Sequence, residues 1–296
     1  MIFYVPPPST QFFLEIAVVQ SAALQECCGS EITCRVETSS ITNFTETPRR
    51  EQIYIIYHAG CETLSFPWKG TVPYIVANFE QSVAGHFHTP HFIDRVKRAR
   101  VVWEYSKSNI ECWRVRYGIE AKFVPFGYHR QLESIVHAPQ RPLTTPGYRI
   151  DILFYGASHP RRSALLAKLR VLGLTVLEVH SIFGNALWSL VRQATILVNI
   201  HYYQPSILEV CRIIPAIVAG KLMISERSDD PLLDQMYSTI TILTKDDQDF
   251  IQKCLFYIAN PSEREQRARQ HYDTLVNSFQ QTEVFHGSWR EMLLFC

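Results

Sequence analysis

What most constrains this chain is a pattern that occurs twice: short, almost continuously apolar runs alternate with longer amphipathic stretches, and a proline-rich break separates the two series. In the first series the runs are IFYV (residues 2–5), IYIIY (53–57), PYIVA (73–77), RVVW (100–103) and AKFV (121–124). They are too short for helices and rich in β-branched and aromatic side chains, so each predicts a strand buried on both faces. Between them, Phe12 to Cys27, Pro90 to Arg98 and Ser106 to Tyr117 carry helical spacing. Strands apolar on both sides, linked by helices, are what a parallel sheet covered on both faces requires. The first half reads as α/β.

Residues 137–149 (HAPQRPLTTPGYR) hold three prolines and a glycine with no apolar period, which is linker composition. The alternation then restarts with DILFYG (151–156), a helix from Pro160 to Leu172, TVLEV, a short helix from Asn185 to Arg192, TILVNI, a helix from Ser206 to Ala219, KLMISE and TITIL. Two helices follow: Asp246 to Ile258, with Phe250, Ile251, Cys254, Leu255 and Ile258 on one face, and the more polar Pro261 to Phe279. The pattern predicts two Rossmann-like domains, residues 1–140 and 148–282, facing each other across a cleft, with 283–296 as a C-terminal segment packing back on the first. Ligands of such domains bind outside the carboxyl ends of the strands.

Composition excludes several classes. Charged residues make up 19% of the chain against 47% hydrophobic, below the roughly 25% charged of an average soluble chain, so extended disorder is excluded. Twenty-nine basic residues balance 28 acidic ones. That near-neutrality removes the long-range field of a dedicated nucleic-acid binder, and a small-molecule partner is expected. The opening MIFYVPPPST is interrupted by prolines where a secretory leader needs an apolar run, and no stretch reaches the roughly 20 apolar residues of a membrane span. A soluble, cytoplasmic protein is expected. Eight cysteines without a CxxC pair read as reduced core thiols, and no resident metal or cofactor is expected.

Three strand ends in the second half carry polar residues. In FYGASHPRRSALL a strand stops at Gly156, Ser158 is placed to cap the next helix, and Arg161 and Arg162 follow Pro160. A glycine turn feeding a helix N-terminus offers N–H groups and a positive dipole end, the arrangement that receives phosphate, and arginines reinforce it. The plain alternative is a solvated pair of helix residues. In NIHYYQPSILEVCR, Asn199 and His201 end a strand, Tyr202 follows, and Ser206 with Glu209 matches a capping box. The other reading of Glu209 is a carboxylate accepting from a ribose diol, with Arg212 either neutralising it or reaching a phosphate. In KLMISERSDD the strand ends at Glu226, and Asp229, Asp230 and Pro231 read as a capped turn.

The first half offers His58, Glu80 and the histidines of GHFHTPH (His86, His88, His91) as proton-transfer groups; spacing does not choose among them. No GxGxxG is present, which disfavours a standard dinucleotide fold.

The strings NFEQ (78–81), VWEYSKSNI (102–110), VPFGYH (124–129), LFYGASHPRR (153–162), NIHYY (199–203), LEVCRI and ISE occur in an order that resembles GT-B-fold glycosyltransferases, in particular small ones of bacteria and large DNA viruses. The resemblance implies metal-independent transfer of a hexosyl or pentosyl group from a nucleotide-sugar donor in the second domain to a glycan, protein or small-molecule acceptor at the first. Many retaining members carry two glutamates eight positions apart before the donor helix. Here Glu209 stands at the second, the ribose-binding one, and His201 at the first; Tyr202 and Gln204 replace glycines. Stereochemistry is left open. The donor-side candidates are then Gly156, Ser158, Arg161, Arg162, Asn199, His201, Tyr202, Ser206, Glu209, Arg212 and Glu226, and an inverting mechanism, which needs the acceptor hydroxyl deprotonated, makes Glu80 or His58 the candidate base. The altered loop also keeps open a catalytically inactive sugar- or nucleotide-binding or assembly protein of the same fold.

Overall fold

The computed structural model describes residues 1–6, 10–38, 52–57, 73–85, 88–138 and 149–293. His58, His86, Cys61, Cys296 and most of the proline-rich stretch lie outside them. The contacts divide the chain into two units, Met1–Gln131 with Gln280–Cys296, and Leu132–Phe279.

The first unit begins β1 (Ile2–Tyr4), α1 (Thr10–Cys28), β2 (Arg35–Glu37), β3 (Tyr54–Tyr57), β4 (Tyr74–Asn78), α2 (Pro90–Arg98), β5 (Val102–Glu104), α3 (Lys107–Tyr117) and β6 (Ala121–Phe123). The strands form one parallel sheet in the order β2-β1-β3-β4-β5-β6. All five apolar runs lie in this sheet, because a central parallel strand must be apolar on both faces. The sixth strand, β2, is charged and sits at the edge, where no apolar run marks it. Caps set the helix starts: Thr89 accepts from the Phe92 amide at 3.2 Å and Ser106 from the Asn109 amide at 3.2 Å. The core joins Tyr4, Ile56, Val76 and Val102 to Phe92, Val96 and Trp113.

The chain passes into the second unit within α4 (Arg130–Val136) and continues β7 (Ile150–Tyr155), α5 (Pro160–Val171), β8 (Val176–Val179), α6 (Gly184–Gln193), β9 (Ala194–Asn199), α7 (Val210–Val218), β10 (Leu222–Glu226), α8 (Pro231–Tyr237), β11 (Ile242–Thr244), α9 (Asp247–Ala259) and α10 (Pro261–Ser278). Its parallel sheet has the order β11-β10-β9-β7-β8. The chain adds β8 on one side of β7 and then crosses to add β9 on the other. That reversal opens a crevice at the carboxyl end of β7, where open α/β sheets bind ligands. Leu165, Leu166 and Leu169 of α5 are buried against Ile152, Phe154, Ile196 and Val198 of the sheet. Burying each such side chain stabilises the unit by about 1.5–3 kcal/mol.

After α10 the chain rejoins the first unit as α11 (Gln281–Phe285) and α12 (Trp289–Met292). Phe285 is fully buried with its ring 5.6 Å from that of Trp103, whose indole N–H donates to the Met292 carbonyl at 2.7 Å. Buried Gln281 accepts from the Gly127 amide at 2.7 Å and donates to the Pro125 carbonyl at 3.2 Å.

Three local expectations are corrected. α7 starts at Val210, not Ser206, because Asp229 takes the Ser206 hydroxyl that would have capped a helix there. α5 is capped by His159, whose Nδ1 accepts from the Arg161 amide at 3.3 Å, and not by the exposed Ser158. TITIL contributes a strand only from Ile242, since Thr241 turns its hydroxyl onto the Met223 carbonyl at 3.0 Å. Among the described residues no helix is long and apolar enough to cross a membrane.

Candidate functional site

In the second unit the carboxyl ends of β7, β9 and β10 place Gly156, Asn199 and Glu226 along one sheet edge. The first turn of α5 and the start of α7 add Arg161, Arg162, Glu209 and Arg212. Adjacent in sequence, the two α5 arginines have opposite fates because successive helix positions lie about 100° apart. Arg161 is largely exposed and forms a two-pronged ion pair with Glu226, one contact measuring 3.0 Å. Its Nη1 also lies 3.4 Å from the His201 carbonyl.

Arg162 is fully buried. Its Nε donates to the Ile200 carbonyl at 2.8 Å and its Nη1 to the Ala157 carbonyl at 2.9 Å. The guanidinium lies between Phe154 and Tyr202, 5.2 and 5.1 Å from their ring centres. Two carbonyls thus fix the fork, and the third nitrogen, Nη2, is buried without a hydrogen-bond partner. It stands 3.6 Å from Glu209 Oε1. Burial, and then the neighbouring Arg212, lower the Arg162 pKa to about 10, which leaves it charged at neutral pH.

His201 is 3% exposed. Its Nδ1 lies 2.8 Å from Glu209 Oε2 and its Nε2 lies 2.9 Å from the Arg227 carbonyl. The same Glu209 oxygen accepts from Asn199 Nδ2 at 2.8 Å, while Asn199 Oδ1 accepts from Arg212 at 2.8 Å. Burial alone would push the Glu209 carboxyl up; His201, Arg212 and Asn199 overcome it and hold the group at about 2. Burial likewise opposes charge on His201, and Glu209, then Glu226 and the Arg227 carbonyl, reverse the sign and raise its pKa.

The loops are pinned on either side. Asp229 Oδ2 accepts from the amide and hydroxyl of Ser206 at 2.6 and 3.1 Å, and the Asp229 amide returns a bond to the Ser206 carbonyl at 2.8 Å. Asp230 caps α8 by accepting from the Leu233 amide at 3.0 Å. Gly156 has φ +155°, and a Cβ there would stand 3.0 Å from Arg212 Nη2. The bare backbone therefore lets Arg212 lie against the turn.

In the first unit β4 and β5 end at Asn78 and Glu104. Glu104, which sequence reasoning passed over, is completely buried at the centre of four donors: Trp113 Nε1 at 2.5 Å, Asn78 Nδ2 at 2.6 Å, Asn109 Nδ2 at 3.0 Å and the Ser82 hydroxyl at 3.3 Å. Burial raises its carboxyl to about 8 against the pull of those bonds. The two asparagines also donate to the Glu80 carbonyl, at 3.1 and 2.9 Å, so Glu104 anchors the loop that carries the half-buried Glu80. His88 packs against Trp113 with the rings tilted and their centres 4.6 Å apart, and burial, then Arg116, lower its pKa to about 4. Among the described residues no three His, Cys, Asp or Glu side chains converge as a metal ion would need.

Two parallel Rossmann-like sheets, each with polar side chains gathered at its carboxyl edge, define the fold class of GT-B glycosyltransferases, and solved structures agree. HepE of Anabaena, in complex with UDP and glucose, aligns over 96% of this chain and 97% of its own at 11% identity and a TM-score of 0.59. WaaG, a glycosyltransferase involved in lipopolysaccharide biosynthesis, covers 96% and 99% at 11% identity and 0.55. A glycosyltransferase from Rickettsia africae covers 100% and 99% at 10% and 0.54. At these identities the likeness is one of fold. No family model matches the chain, and no curated protein does.

Proposed function

We propose that this chain is a glycosyltransferase that takes a nucleotide-sugar donor at the carboxyl edge of its second sheet and transfers the sugar to an acceptor bound by the first unit. The observation that carries the reading is Arg162 Nη2: a fixed, charged, buried donor without a hydrogen-bond partner, 3.6 Å from Glu209. Such a group costs stability unless an anion takes its hydrogen bond, and a diphosphate supplies one. As the bond from C1 to the diphosphate breaks, negative charge grows on the leaving group. Arg212 is oriented to receive it, and Arg162 is uncovered once the exposed Tyr202 ring moves aside; their positive charge lowers the barrier and reduces the need for a metal. Glu209 would take the ribose diol, and Glu80 or His58 would accept the proton of the attacking hydroxyl. The solved complex of HepE with UDP and glucose supports a uridine diphosphate sugar as first candidate.

A second reading, a binding protein of the same fold without turnover, is favoured by His201. Both its ring nitrogens are occupied by Glu209 and Arg227, so it is not disposed to act on a bound sugar. The test is a thermal-shift panel of nucleotide sugars followed by hydrolysis and transfer assays on those that bind. Turnover supports the enzyme and binding without turnover the second reading. Unchanged nucleoside-diphosphate affinity in both Glu209→Ala and Arg161→Ala would sink the site assignment.

A further inference from the structure

We propose that His201 is carried as an imidazolium clamped between the Glu209 carboxylate and the Arg227 carbonyl, and that this makes it the positioning residue of the donor site, so that donor binding weakens as the pH rises. The coupling to donor rests on the reading above; the charge state does not. A neutral imidazole has one N–H and one lone pair. Here both nitrogens meet oxygens that only accept, at 2.8 and 2.9 Å, in a residue 3% exposed. One proton leaves one contact as lone pair against lone pair; two protons satisfy both.

The surroundings agree. The Glu209 carboxylate faces His201 from the start of α7, and Glu226, at the end of β10, accepts from the His201 amide at 2.7 Å. Asp234 of α8 adds further negative charge on the β10 side, opposed there by the Arg227 side chain at 3.9 Å. Opposing protonation are Arg161 of α5, engaged with Glu226, and Arg162 and Arg212, which stand 3.6 and 3.9 Å from Glu209. The bonded Glu209 carboxylate, with Glu226 and the Arg227 carbonyl, outweighs burial, which is why the imidazole is raised rather than lowered.

The consequence for ligand binding is one of charge. Within the bonded cluster three guanidinium groups face two carboxylates, leaving one positive charge; an imidazolium makes it two, equal to the charge of a sugar diphosphate. Deprotonation above the raised pKa removes half of that excess and frees Glu209 from its strongest partner. A donor that binds the protonated form must raise the His201 pKa further, and each unit of that rise corresponds to about tenfold in affinity.

The test has two arms. In the unliganded, 15N-labelled chain, two-bond ring correlations report the protonation of each of the 11 histidines, and the spectrum of His201→Gln identifies the one in question. An imidazolium persisting at a pH where an ordinary histidine has lost its proton is expected; a single-proton tautomer at that pH overturns the proposal. Calorimetric titration of the wild type with UDP-glucose, whose diphosphate does not titrate in this range, is expected to show about tenfold weaker binding at about pH 8.5 than at about pH 6. His201→Gln should bind weakly at both, and His201→Lys should recover part of the affinity. A pH-independent wild-type affinity overturns the coupling, and the wild-type series needs no variant to fold. Absence of UDP-glucose binding at every pH, with the imidazolium observed, would contradict the donor reading and leave the charge assignment standing.

Discussion

Arg162→Lys preserves the positive charge on α5 while removing the planar fork. A lysine ammonium can reach one of the carbonyls of Ile200 and Ala157 but cannot bond both and still present a third donor. The lost carbonyl bond costs the fold about 1.5–3 kcal/mol, as is usual for a hydrogen bond to a charged group. The lost Nη2 contact removes a similar amount from binding, and at 1.4 kcal/mol per tenfold this weakens UDP by roughly 10- to 150-fold. Calorimetric titration with UDP, alongside urea unfolding of the unliganded chain, separates the two effects. Leu166→Ala is the control: it opens a cavity in the apolar cluster under α5, costs about 2–5 kcal/mol, and deletes no polar group of the site. UDP affinity in Arg162→Lys within about twofold of wild type, with the chain folded, would refute the assignment of Nη2 to a phosphate. So would an equal loss in Leu166→Ala, because general loosening would then account for the effect.

Gly156→Ala sets a methyl 3.0 Å from Arg212 Nη2 and 3.3 Å from the Phe154 ring, displacing Arg212 from Asn199. Donor affinity should fall about tenfold, the loss of one charged hydrogen bond, and the melting temperature should fall as well, because alanine is strained at a φ of +155°. Glu104 titrates at about 8 in the folded chain against an ordinary value of 4.5, so the folded state keeps a proton that the unfolded state releases. Wild-type stability should therefore fall as pH rises from about 4.5 to about 8, by at most about 5 kcal/mol, and then level off. Glu104→Gln should lack that slope in urea melts taken across the interval; parallel slopes would contradict it. Trp113→Phe removes the indole N–H that Glu104 accepts at 2.5 Å, and should raise the Glu104 pKa further and shift the same slope upward in pH.

The parallel sheets were legible because a strand buried on both faces cannot hide its composition: IYIIY and TILVNI have no other use in a chain of this length. The edge strand Arg35–Glu37 was not, since its residues are exposed or only partly buried and nothing selects apolar residues there. Site residues at strand ends were legible as a set, but their partners were not. Sequence offers Ser206 and Glu209 as a capping box, whereas Asp229, remote in the chain, takes the serine, and His201 takes the glutamate. Arg161 and Arg162 look alike in sequence, and only the rotation of α5 decides which faces Glu226 and which is buried. Glu104 gave no sign, because a lone carboxylate after VW reads as a surface residue until the donors of Asn78, Ser82, Asn109 and Trp113 are folded around it.

The donor site stands on the second sheet holding a nucleoside diphosphate against the buried arginine. A crystal structure of the chain with UDP tests it most directly. A phosphate oxygen within hydrogen-bond distance of Arg162 Nη2, with the ribose hydroxyls on Glu209, is expected. A nucleotide bound elsewhere, with Arg162 Nη2 still unpartnered, would contradict it.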